Sequence, residues 1–165
     1  LRMENKYCNV SIFLPKITLP ENIYCTTSYE EALSGTEVVL HVTPSKFVRN
    51  TIKGYKDFIN KDQILLMCSK GFEAGTNLAL DDVIEEELPG QKYGILAGPS
   101  HAEEVIIKLP TTICSVSDDI EKAKLIQTVF SNHSNFRVYT GSDLIGSELC
   151  SAIKNVYAIA ECYDA

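Results

Sequence analysis

The chain of 165 residues carries 15 Lys and Arg against 22 Asp and Glu, a formal net charge of −7. That balance argues against a surface built for nucleic acid or an anionic membrane, which needs clustered basic side chains. At 45% hydrophobic and 22% charged residues a core can form, yet no apolar run approaches the roughly 20 residues that span a bilayer. The six cysteines (Cys8, Cys25, Cys68, Cys114, Cys150, Cys162) are scattered, without a C-x-x-C spacing or histidine partners. They predict reduced, mostly buried thiols in a cytoplasmic protein and no metal site.

Taken in chain order, residues 1–27 have no period, carry Pro15 and Pro20, and are expected to be mostly loop. "SYEEALSG" follows, a short helix opened by an S-x-x-E box of Ser28 and Glu31 and stopped at Gly35. "TEVVLHVT" is a β-branched run expected to be a strand buried on both faces. "PSKFVRNTIKGYKDFI" returns to a helical period through Phe47, Ile52, Tyr55 and Phe58. "QILLMCS" is a second buried strand, and "TNLALDDVIEEEL" a helix closed by Pro89 and Gly90. "KYGILAG" is a third strand, with a short helix opening at "PSHAEEV". "TTICSVS", "DDIEKAKLIQTVFSN" and "FRVYT" read as strand, helix and strand. From Ser142 onward the chain reads as one long helix.

Strands alternating with helices at short intervals predict a mostly parallel α/β sheet, in which ligands gather at the carboxyl ends of the strands. Residues 1–140 would form this sheet unit, and 141–165 would begin an all-α unit. The strand ends are "TPSKF", "CSKGFE" and "AGPSHAEE". Lys70 sits directly after a strand, with Gly71 able to turn the chain sharply; a solvated lysine at a strand end is the alternative. Gly98 can admit a close ligand, and Ser100 with Glu103 spells a second S-x-x-E box. His101 reads as surface decoration. The long helix holds one formal charge between Leu149 and Ala160, Lys154. It lies in a small polar stripe of Ser147, Ser151, Lys154 and Ala158 at helical spacing. Burial would lower its pKa toward a value suited to proton transfer; the other reading is a snorkelling lysine whose stem covers apolar surface.

Together, "LPENIYCTTSYEEAL", "TPSKFVR", "CSKGFE", "LAGPSHAEEV", "LPTT", "FRVYTGSDLIGSEL" and "AIKNVYAIA" resemble the bacterial NAD(P)-dependent glycerol-3-phosphate dehydrogenases. The resemblance covers nearly the whole chain, in the family's order and spacing. It implies a Rossmann-like, mostly parallel sheet lacking its first βαβ unit, followed by the first helix of an all-α domain. It also implies reduction of dihydroxyacetone phosphate to sn-glycerol 3-phosphate with NADH or NADPH for phospholipid synthesis. By resemblance Lys154 is the catalytic lysine and Asn155 a substrate contact. Lys70 would touch cofactor and substrate, Gly98 and Ser100 would line the substrate site, and Ala102 and Phe47 would lie against the cofactor. A homodimer is a further expectation.

The family's Gly-rich phosphate-binding turn and its phosphate-binding arginine have no counterpart in these residues, and "AIAECYDA" departs from the family's glycine-containing continuation. The chain is therefore expected to correspond to the central portion of such an enzyme and to be nearly inactive alone. The contrasting expectation is a folded, non-catalytic fragment that acts only through protein contacts.

Overall fold

The computed structural model describes residues 17, 20, 22–132 and 134–163. Five strands form one sheet in the order β1-β2-β3-β4-β5: β1 (Val38–His41), β2 (Ile64–Met67), β3 (Tyr93–Ala97), β4 (Thr111–Val116) and β5 (Phe136–Gly141). All neighbours run parallel except β3 and β4, which pair antiparallel with Ala97 opposite Cys114. The helices are α1 (Tyr29–Leu33), α2 (Val48–Tyr55), α3 (Leu80–Glu87), α4 (Ala102–Ile106), α5 (Ile120–Phe130) and α6 (Leu144–Tyr163). Among the described residues no helix is long and apolar enough to cross a membrane.

The alternation of side chains along β2 divides the core. Leu65 and Met67 pack with Val48, Ile52 and Tyr55 of α2 and with Leu80, Val83 and Ile84 of α3. Ile64 and Leu66 point to the other face, where Ile126 of α5 meets them. Burying each of these Leu or Ile side chains stabilises the fold by about 1.5–3 kcal/mol relative to exposure. β2 is the strand buried on both faces. β1, expected to share that property, forms one border of the sheet, and its Leu40 is 48% exposed.

Other expectations are corrected as well. Cys25 is disulfide-bonded, while Cys114 and Cys150 are exposed and Cys68 is half-buried, so these thiols do not form the reduced, buried set read from the sequence. Ser28 does cap α1, accepting from the Glu31 amide at 3.3 Å. Ser100 caps nothing: α4 starts one residue later, with His101 at the cap position and no side-chain cap. That shift places Glu103 at the second helical position, out of register for the reciprocal bond of a capping box.

The longest irregular stretch near the strand ends runs from Lys70 to Ala79, between β2 and α3. It turns through positive φ at Gly71, Gly75 and Asn77. Glu73 anchors it: the Arg49 guanidinium, projecting from α2, donates to Glu73 Oε1 at 2.6 Å and Oε2 at 2.8 Å. Thr76 Oγ1 adds a bond to Oε2 at 2.6 Å. Arg49 also reaches Glu86 at 2.7 Å and Glu87 at 2.8 Å on α3. The Arg49 hydrogen bonds hold the Glu73 carboxyl down to about 2. Such a two-pronged arginine–carboxylate pair fixes orientation as well as distance.

His41, at the end of β1, is buried against α2. Its Nδ1 shares a hydrogen bond with Tyr55 Oη at 2.9 Å and its Nε2 with Thr43 Oγ1 at 2.7 Å. Hydroxyl partners can donate or accept, so the neutral ring is satisfied in either tautomer. Burial pushes its pKa down to about 4.

Two outcomes follow for stability. Arg49→Leu strands the Glu73 charge and should cost roughly 2 kcal/mol, between the values for exposed and buried pairs. Amide exchange across residues 71–78 should accelerate in that variant, and an unchanged denaturation midpoint with unchanged exchange would refute the anchoring role. For His41, the unfolded chain takes up a proton near pH 6.5 while the folded one resists until about pH 4. Its contribution is therefore complete above the unfolded pKa and is lost as pH falls through that window. His41→Gln should flatten the pH dependence of stability there, by up to roughly 3 kcal/mol relative to wild type; parallel profiles for the two proteins would exclude this titration.

Candidate active site

The turns that leave β1, β2 and β3 lie side by side because those three strands are parallel. After β1, Pro44 leads into a 3-10 turn at Ser45–Phe47. After β2, Ser69 Oγ donates to the Thr43 carbonyl and ties the second turn to the first. Gly71 follows with φ +103°, a conformation that side-chain-bearing residues rarely adopt. A Cβ there would meet Ser45 Oγ at 3.5 Å, so backbone conformation rather than crowding calls for glycine.

At Gly98 the reason is different. A Cβ would stand 2.9 Å from both Cα and Cγ2 of Ile113 on β4. The close neighbour that requires glycine here is β4 itself. Ser100, beyond it, is half-buried, and His101 and Ala102 are exposed. Phe47 is 48% exposed, with Lys46 Nζ 4.8 Å from its ring centre.

Lys70 reaches from the second turn toward the third, its Nζ donating to the Gly98 carbonyl at 3.4 Å. Its pKa is lowered, first by partial burial and then by the charge of Lys154. The charge of Lys154 on α6 thus acts on Lys70 at the end of β2. Helix α6 presents its small polar side to the protein: Ser147, Ser151 and Lys154 are half-buried. Its apolar residues Ile145, Val156 and Ile159 are 75%, 67% and 60% exposed. The side chains of Asn155 and Ala158 lie outside the described residues.

The site therefore joins Lys70 to Gly98 beside the Pro44–Phe47 turn, with the charge of Lys154 acting on Lys70. It supplies localised positive charge in a protein of net negative charge, which suits an anionic substrate and a developing oxyanion. Among the described residues no group of three or more His, Cys, Asp or Glu is arranged to hold a metal ion. A cavity of about 530 Å³ lies between the end of α5 and the starts of β4 and β5, but neither lysine lines it.

Sequence reading missed Arg49, Glu73 and Glu148. Glu148 is 6% exposed on α6 and accepts from the Leu80 amide at 2.6 Å, across 68 residues of chain. The one local signal was that a carboxylate directly precedes the otherwise uncharged run before Lys154.

Residues 2–123 match the family model of the NAD-dependent glycerol-3-phosphate dehydrogenase N-terminus. The chain is 43% identical over 148 residues to the glycerol-3-phosphate dehydrogenase [NAD(P)+] of Clostridium perfringens, covering 90% of this chain and 44% of that protein. The corresponding enzyme of Bacillus pumilus is 40% identical over 151 residues, again 90% and 44% of the two chains. The crystal structure of glycerol-3-phosphate dehydrogenase from Coxiella burnetii superposes with a TM-score of 0.79 at 33% identity, over 89% of this chain and 45% of that one. This chain thus spans somewhat less than half the length of these relatives. Its sheet is Rossmann-like, and the chain belongs to the NAD-dependent glycerol-3-phosphate dehydrogenase family.

Proposed function

We propose that this chain carries the reacting end of an oxidoreductase that interconverts dihydroxyacetone phosphate and sn-glycerol 3-phosphate with NAD(P)H. The observation that carries the reading is Lys70 reaching from the end of β2 to the Gly98 carbonyl at the end of β3, at the carboxyl ends of parallel strands, with the charge of Lys154 on α6 acting on it. In α/β sheets of this kind ligands occupy that crevice. The product would serve as the backbone of glycerophospholipids. Within this reading residues 1–140 form the dinucleotide-binding unit and 141–165 open the substrate unit.

The reading assigns a nicotinamide dinucleotide to this crevice: Lys70 and Lys154 would balance its anionic charge, and Phe47 and Ala102, both exposed, would give it apolar contact. When bound, the cofactor supplies hydride in one direction and accepts it in the other. Everything else falls to the chain. As negative charge grows on the carbonyl oxygen, the Lys154 ammonium stabilises it and gives up a proton. In the reverse direction neutral Lys154 accepts the alcohol's proton. Lys70, held against the Gly98 carbonyl, adds positive potential and orients the reacting groups. Gly98 and Ser100 shape the floor beside the substrate, and Asn155 stands next to the catalytic lysine in sequence.

In the full-length protein that contains this chain, Lys154→Ala should lower kcat by roughly 10²–10⁴-fold, the range general acid–base groups contribute. The KM for the reduced cofactor should move little, because the lost charge matters most in the transition state. Following nicotinamide absorbance with dihydroxyacetone phosphate measures both. Near-normal turnover at saturating substrate would remove Lys154 from the reaction.

A further inference from the structure

Helix α3 begins without a cap of its own. Ala79 occupies its cap position and has no side chain to accept from the first amides. Glu148 does this instead from α6, its Oε1 taking the Leu80 amide at 2.6 Å in a position 94% removed from solvent. Around that bond lies a cavity of about 200 Å³ lined by Phe72, Ala79, Asp81, Ile145, Glu148 and Leu149. Phe72 and Ala79 belong to the segment that starts at Lys70 and delivers the chain to α3. The helix that bears Lys154 therefore shares a cavity wall with the segment that bears Lys70 and is bonded to the helix at that segment's end.

We propose that Glu148 is a positioning residue: by capping α3 from across the fold it sets where Lys154 stands against Lys70. The inference rests on the reading above that these two lysines form the reacting site. Six residues separate Glu148 from Lys154, about 9 Å along a helix. A rigid rod fastened at one point transmits a shift at that point to the lysine. The fastening depends on reach, not on charge. Glu148 Oε2 is buried and makes no hydrogen bond. Burial first, and then the neighbouring Asp81 carboxyl, raise the pKa of Glu148 well above the ordinary carboxylate range. Charged or protonated, the carboxyl accepts from Leu80 through Oε1. A glutamine keeps that acceptor at the same reach; an aspartate keeps the acid but falls one methylene short.

The test compares Glu148→Gln with Glu148→Asp in the full-length protein, with Glu148→Leu as a variant that fills the space and lacks the acceptor. Glu148→Gln should keep the slow exchange of the Leu80 amide and a kcat within about threefold of wild type, since it retains the cap. Glu148→Asp and Glu148→Leu should speed that exchange about tenfold or more. In both, kcat with NADH and dihydroxyacetone phosphate should drop at least about tenfold, while the KM for NADH stays within roughly twofold, as expected of misplacement by an ångström or less. If the Asp and Leu variants lose Leu80 protection but keep kcat, the cap is structural only and the proposal is overturned. If Gln loses as much kcat as Asp, charge governs and the proposal is equally overturned. Should wild type not turn over this substrate pair, the reading of the reaction fails by itself. The positioning inference is then decided by the yield of a short amine-reactive cross-link between Lys70 and Lys154, expected to persist in Gln and to fall in Asp and Leu. Equal yields in all variants would overturn it.

Discussion

Ten residues from Lys70 to Ala79 lie between a strand and a helix, and the Arg49–Glu73 pair is what makes them a defined object. Ordering each residue costs about 1–2 kcal/mol of backbone entropy. The segment has few bonds of its own to set against that, chiefly Glu73 N to Leu78 O at 2.9 Å and Asn77 N to Glu73 O at 3.0 Å. Both pass through Glu73, so fixing that one residue closes the loop. Arg49 can fix it because α2 is itself immobile: Val48, adjacent in sequence, is 1% exposed and Ile52 fully buried. Lys70 thus inherits its position from the packing of a helix that precedes it by one strand.

The distribution of charge around the site follows from the same geometry. Arg49 draws in Glu73, Glu86 and Glu87, leaving the acids of α3's last turn on the α2 side of the molecule. Asp81 and Asp82 stand in α3's first turn, where the positive end of the helix favours them. Carboxylates are thereby engaged on either side of the segment that begins at Lys70, and Lys70 itself makes its hydrogen bond to a backbone carbonyl. A salt bridge would have bound that lysine to a permanent partner and neutralised it.

Much of this fold was legible because it is written in short windows. The apolar run Ile64–Met67, entirely buried, could be nothing but an interior strand once its length was set against that of a helix. The turns after β1, β2 and β3 announced themselves through Pro44, Gly71 and Gly98. What sequence could not supply was distance across the chain. Arg49 and Glu73 are 24 residues apart, and Glu148 and Leu80 are 68 apart; no local pattern joins them. Local patterns also failed by a single step. Ser100 and Glu103 have the right spacing for a cap, but the helix begins after His101, and one residue of register removes the geometry. At Gly98 the residue type signalled a crowded backbone but not its source in the fold: the antiparallel entry of β4 brings Ile113 there.

Helix α6 shows why a half-buried cation need not be a contradiction. A helix packing on a core ordinarily turns its apolar stripe inward. Here Leu144 joins the main core and the next turns present Ser147, Glu148, Ser151 and Lys154, while Ile145, Leu149 and Val156 face outward. Desolvating these polar groups is costly unless each is partnered or its charge is used. Glu148 is partnered by a helix terminus. Lys154 stands near Lys70, where like charges disfavour each other and lower the affinity of Lys70 for its proton. That repulsion is a cost only while both charges lack a counterpart. An anion placed between them is attracted to both, and charge that develops on an oxygen during reaction is attracted most strongly of all. Under the proposed reaction, that cost to the fold would be returned in the transition state, as differential stabilisation requires.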